Sequence, residues 1–160
     1  MVGRSIGLLL VVAIVALTVR ITFASGATRQ AGDITLGAGT AVLVRNNGGV
    51  VMTLELTGVV PGHVYSAWWF VGMNPPENVG GAIGNHGGRA TIAGHLSEGG
   101  ILADARADEI IVRVLYHGPT IPGQIHEQMT TTSTGAPPSN CNGAPGSCAP
   151  PVAVIEFDAP

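Results

Sequence analysis

The sequence predicts an all-β fold, a single antiparallel β-sandwich of about seven or eight short strands. Three observations predict it. Glycine (24) and proline (11) are spread between apolar runs rather than gathered in one block, the distribution of short strands joined by turns. Several of those runs are rich in β-branched and aromatic residues and alternate with period two. Beyond the first two dozen residues no stretch has a convincing helical period, so packed sheets are the way left to bury the apolar faces.

The strands follow in order. Asp33 to Leu36 is a short β-forming run. Thr40 to Arg45 and Val51 to Leu56 flank Asn46-Asn47-Gly48-Gly49, whose Asn and Gly tolerate the positive φ of tight turns, so the pair is a hairpin. In the second run Met52, Leu54 and Leu56 share one face. Pro61-Gly62 marks a turn before the aromatic-rich run His63 to Val71, which Asn74-Pro75-Pro76 ends because prolines supply no ladder donors. Gly87-Gly88 opens Arg89 to Leu96. Ile101 to Asp108 reads either as a short helix or as an irregular connection. Glu109 to His117 is the clearest strand, with Ile110, Val112, Val114 and Tyr116 on one face, and Val152 to Phe157 closes the fold.

The chain divides into a leader, residues 1–27, and one β-sandwich domain, residues 28–160. Arg4 precedes an apolar run from Ile6 to Val19, and small residues follow at Ala24 to Ala27. That is the pattern of a secretory signal peptide. The run is short for a membrane span, which needs about 20 apolar residues, and Arg20 interrupts it. The expected location is therefore exported, periplasmic or extracellular; an uncleaved leader would instead tether the domain to the membrane.

Charged residues are 11% of the chain, and all seven basic residues are arginine. Without Arg4 and Arg20, five arginines face ten carboxylates, a net charge near −5. This argues against nucleic acid and anionic membrane surfaces as partners, since both select clustered cations. Residues 130–151 (TTTSTGAPPSNCNGAPGSCAPP) lack large apolar side chains and read as a surface loop before the last strand. It holds the only cysteines, Cys141 and Cys148, and in an exported chain such a pair reads as a disulfide closing the loop. Its contribution would be on the order of 2–3 kcal/mol.

The segment Leu56-Thr57-Gly58-Val59-Val60-Pro61-Gly62-His63-Val64-Tyr65 resembles the strand–turn–strand of the Cu,Zn superoxide dismutases and the related chordin-type (CHRD) domains. The resemblance implies an Ig-like or CHRD-like sandwich. It departs where the dismutase chemistry lies: His63 is followed by Val64 and Tyr65, not by a second histidine one residue on. A broader resemblance is to uncharacterised exported bacterial proteins that pair a His-x-Tyr-x-x-Trp-Trp strand with a later His-Gly-Pro segment. Here these match His63, Tyr65, Trp68 and Trp69, then Val114, His117, Gly118, Pro119, Pro122, Gly123, Glu127 and Gln128. That likeness implies the fold and no activity.

Five histidines stand out in so weakly charged a chain: His63, His86, His95, His117 and His126. His63 starts a strand and His95 and His117 end theirs, so the three are candidate ligands for copper or zinc at one rim, with Glu127 or Asp104 adding an oxygen. Against this, no His-x-His or His-x-x-x-His spacing pins two ligands together, and rim histidines also serve as turn caps. Trp68 and Trp69 are adjacent in a strand, so their rings leave on opposite faces. One belongs in the core; the other is covered by the loop or forms a binding surface. Arg113, mid-strand, invites a cross-strand carboxylate such as Glu55. None of the serines outside the leader (Ser66, Ser97, Ser133, Ser139, Ser147) lies in Gly-x-Ser-x-Gly, Asp108-Glu109 reads as a solvated turn, and Gly80-Gly81 and Gly87-Gly88 read as loops without the lysine of a phosphate cradle.

The expected function is thus a non-enzymatic exported domain that binds a protein or glycan partner or serves in the envelope or matrix. The alternative is a histidine-based copper- or zinc-binding protein of the cell envelope.

Overall fold

The computed structural model describes residues 27–96, 105, 108–131 and 151–160. They fold mainly as strands: β1 (Thr28–Ala31), β2 (Asp33–Leu36), β3 (Gly39–Asn46), β4 (Gly49–Thr57), β5 (His63–Val71), β6 (Glu77–Ile83), β7 (Arg89–Leu96), β8 (Ile110–Pro119) and β9 (Pro151–Phe157). One short helix, α1 (Ile125–Thr130), lies between β8 and β9. A four-stranded sheet has the order β1-β3-β4-β7 and a five-stranded sheet the order β2-β9-β8-β5-β6. Every pairing is antiparallel. Residues 132–150, with Cys141 and Cys148, lie outside the described residues, as do leader residues 1–26 and Asp104. Among the described residues no helix is long and apolar enough to cross a membrane.

Alternation builds the core. On β4, Val50, Met52, Leu54 and Leu56 are buried while Val51, Thr53 and Thr57 are exposed. These side chains join Tyr65, Ala67, Trp69 and Val71 of β5, Ile110, Val112 and Val114 of β8, and Ala153, Ile155 and Phe157 of β9. The inner faces of both sheets therefore share one apolar cluster, and burial of that area is the main stabilising term.

Two strands depart from expectation. β1 carries no strong β-former pattern and exists because its backbone pairs with β3, Thr28 opposite Arg45 through Ala31 opposite Val42. β6 contains Gly80 and Gly81, expected in a loop. Both glycines serve close approach. A Cβ on Gly81 would meet the Met129 side chain of α1, and Gly80, at φ +146°, would bring one to 3.3 Å from the Ala93 carbonyl of β7. The β3–β4 hairpin is present, with Asn46 opposite Gly49 and the Asn46 Oδ1 accepting from Gly48 N at 2.7 Å. Its positive φ falls on Gly49 (147°), and no described non-glycine residue has one.

Gly32 carries the chain from one sheet to the other. β1 before it pairs with β3 and β2 after it pairs with β9, while Gly32 N donates to Ala41 O at 3.0 Å. Arg45, one residue before the end of β3, lies inside the fold at 4% exposure. Its Nε donates to Ala105 O and its Nη2 to Asp108 O, both at 2.9 Å, and its Nη1 donates to Gln30 Oε1. Burial lowers its pKa from the usual arginine value.

Candidate functional site

The strand directions decide what the rim residues can do together. β5 and β7 both start where β4 ends, because Thr57 pairs with Arg89 and the Val60–His63 turn leads directly into β5. In that turn Pro61 precedes Gly62 (φ +75°), the order of a type II turn, and His63 N donates back to Val60 O at 3.3 Å. His63 therefore sits at one end of the molecule. His95 sits near the other, opposite Val51, roughly 20 Å away along β4 at 3.3–3.4 Å a residue. It is exposed and lies against Gly49.

His117 returns to the His63 end but on the other face of its sheet. The β5·β8 register runs Val64 opposite Gly118 and then Tyr65 opposite Tyr116, so His117 is the extra residue of a β-bulge. Tyr116 and His117 nonetheless leave on opposite faces, as consecutive strand residues do. Tyr116 packs against the core beside Tyr65, ring centroids 5.5 Å apart. His117 is 3% exposed and its Nε2 lies 2.7 Å from the fully buried Ser66 Oγ.

The three histidines thus do not meet at a point, contrary to the expected rim. His63 is engaged with Tyr116, His117 with Ser66, and His95 is on the other sheet at the far end. Among the described residues no group of three or more His, Cys, Asp or Glu is placed to hold a metal. Glu127 and His126 are exposed on α1, and His86 is exposed in the β6–β7 turn. The expected Arg113–Glu55 pair does not form, because the two belong to different sheets. Arg113 lies over the Phe70 ring, 4.6 Å from its centroid, and Glu55 pairs with Arg89 at 2.5 Å.

The tryptophans split as alternation requires. Trp69 is core, 1% exposed, and cannot meet a partner. Trp68 is half-buried on the opposite face, where its Nε1 donates to Ser66 Oγ at 2.9 Å. Ser66 and His117 stand at the distance of a nucleophile and its base. The arrangement nevertheless works as packing: Ser66 has no exposed surface and its oxygen already accepts the indole N–H, so a carbonyl carbon has no approach. The Ser66 oxygen thus meets the Trp68 indole and the His117 ring together. Gln128, fully buried, fastens α1 to the end of β8: its Nε2 donates to Pro119 O and its Oε1 accepts from Ile121 N, both at 3.0 Å.

The feature the sequence did not announce is a pocket at the His63 end, between the sheets. It has a volume of about 490 Å³ and is lined by Leu56, Val59, Val60, Tyr65, Tyr116 and Val152, with Gly37, Ala38, Thr57, Gly58 and Ala153 completing it. Among the described residues no charged side chain lines it. Its polar side chains are the two phenols and Thr57. Tyr116 Oη lies 2.6 Å from His63 Nδ1, with the rings 15° from parallel, and Tyr65 Oη accepts from Val60 N at 2.9 Å. The exposed apolar side chain Val60 continues the apolar surface at the mouth. The strand period predicts Tyr65 and Tyr116 on inner faces; that strands from both sheets stop short of closing over them depends on loop lengths and on the Gly32 crossing.

No protein-family model matches the chain, and neither a curated protein nor a solved structure does.

Proposed function

We propose that the protein is an exported, non-enzymatic β-sandwich of the Ig-like or CHRD-like kind, closed at its long loop by a Cys141–Cys148 disulfide, and that it works as a small-ligand binding domain through its end pocket. The pocket is the observation that carries this reading. Binding sites are concave, mostly apolar and set with a few oriented polar groups, in volumes of about 300–1,000 Å³. This pocket, at about 490 Å³ with two tyrosine hydroxyls and no charge among its described lining residues, has those properties. The shared apolar cluster of the two sheets supports the sandwich, and the leader supports export.

The reading is tested by a thermal-shift screen of neutral fragments, with binding located by amide chemical shifts. Stabilising fragments are expected to move the signals of Leu56, Val60 and Ala153. Ala38→Trp, at an exposed position on the pocket wall, is expected to suppress them. Hits that map elsewhere, or that survive Ala38→Trp, reject the pocket as the binding site. Export is tested by the N-terminal mass of protein recovered outside the cytoplasm, expected to begin within Ala24 to Thr28.

A further inference from the structure

Tyr65 is an incompletely used hydrogen-bonding group. Its hydroxyl oxygen accepts from Val60 N at 2.9 Å, the single hydrogen bond it makes among the described residues. A phenol is donor as well as acceptor, so its proton remains to be given. Tyr65 is 3% exposed, and both it and Val60 line the pocket. A buried donor left unpaired costs free energy, and a ligand that accepts from it recovers that cost. The Tyr116 hydroxyl is committed differently, at 2.6 Å from His63 Nδ1.

The remaining wall sets the other half of the ligand's chemistry. Leu56, Val59, Val60, Val152 and Ala153 offer apolar surface, and among the described residues no cation or carboxylate lines the pocket. The nearest ion pair, Arg89 with Glu55, neutralises itself. A charged ligand would leave water without compensation here. A sugar would bring several hydroxyls to a wall with few partners for them.

We infer that the pocket selects an uncharged, largely apolar small molecule presenting one hydrogen-bond acceptor, such as a carbonyl oxygen, and that the Tyr65 hydroxyl donates to it. This rests on the proposed binding role of the pocket and names the ligand class for it. Tyr65 then determines specificity, while the aliphatic wall supplies most of the affinity. A site that offers a donor discriminates against the analogue lacking the acceptor, because that analogue leaves the donor unpaired.

The test uses three probes of similar shape on the purified full chain at neutral pH: acetophenone, ethylbenzene and benzoate. Affinities come from chemical-shift titration of the Leu56, Val60 and Ala153 amides. Acetophenone is expected to bind about 3- to 10-fold more tightly than ethylbenzene, the span of one net hydrogen bond, and benzoate more weakly than either. Tyr65→Phe is expected to remove the advantage of acetophenone while leaving ethylbenzene bound. Equal or reversed ranking of acetophenone and ethylbenzene, benzoate binding tightest, or an advantage that survives Tyr65→Phe overturns the inference and leaves the pocket as a binding site. No shift at these amides with any probe overturns the binding role itself. Should Tyr65→Phe fail to fold, the wild-type ranking decides, with Ala38→Trp as the control expected to abolish binding of all three.

Discussion

Arg45 shows how far a single residue is governed by its surroundings. A guanidinium brought to 4% exposure loses its water, and among the described residues nothing ionic replaces it: its partners are the carbonyls of Ala105 and Asp108 and the amide oxygen of Gln30. The planar fork is what makes this tolerable, since several fixed N–H donors reach several acceptors at once. Arg45→Met is expected to lower unfolding stability by on the order of 3 kcal/mol, because it leaves buried carbonyls unpaired. Arg45→Lys, with one rotatable cluster of donors, should recover only part. A urea midpoint unchanged in Arg45→Met would show that the clamp contributes nothing. In the sequence Arg45 reads only as the last residue of a strand. Its burial depends on Ala105 and Asp108 returning to it from 60 and 63 residues away. The same separation hid the Ser66–His117 bond, 51 residues apart, although both residues sit in runs whose strand character was plain.

Elements were legible where side chains alternate and illegible where glycine replaces them. His63 to Val71 and Arg89 to Leu96 stand at the predicted boundaries because turn residues bracket a period-two run. β6 did not announce itself, since its two glycines weaken β-propensity for the sake of neighbours above and beside them. α1, six residues long, is too short for a 3.6-residue period to be seen, and Gln128 holds it in place rather than helix propensity. Gly81→Val is expected to displace Met129 and loosen α1 from the sheet, at a cost of about 1–3 kcal/mol. Amide hydrogen exchange should then speed up in α1 and β6 while β3 and β4 keep their protection. Uniform acceleration across both sheets would instead mean that α1 and the core unfold as one unit. The period-two pattern also explains the misplaced Arg113–Glu55 pair: it reports which face a residue takes, not which sheet its strand joins.

For the molecule as a whole, the all-β class followed from composition and alternation, but the division of the nine described strands into two sheets did not. That division turns at Gly32, where a Cβ would lie 2.8 Å from the Phe157 ring. Because β1 and β2 belong to different sheets, distortion at Gly32 is felt by both. Gly32→Val is expected to lower the melting midpoint in one transition, with far-UV circular dichroism and tryptophan fluorescence changing together. Two separated transitions would mean that the sheets are not thermodynamically joined at this crossing. The strand directions also give the molecule a front and a back. Ala27 enters beside Arg45, and Asp158 follows β9 at that same end, where its carbonyl accepts from Gln30 Nε2 at 3.0 Å. The pocket opens at the opposite end, between Gly37, Val60 and Tyr116. Whatever the chain is fastened by at Ala27 or beyond Asp158, whether lipid bilayer, neighbouring domain or solid support, the attachment lies behind and the mouth faces outward, so a crowded layer of these molecules would still present every opening to the surrounding fluid.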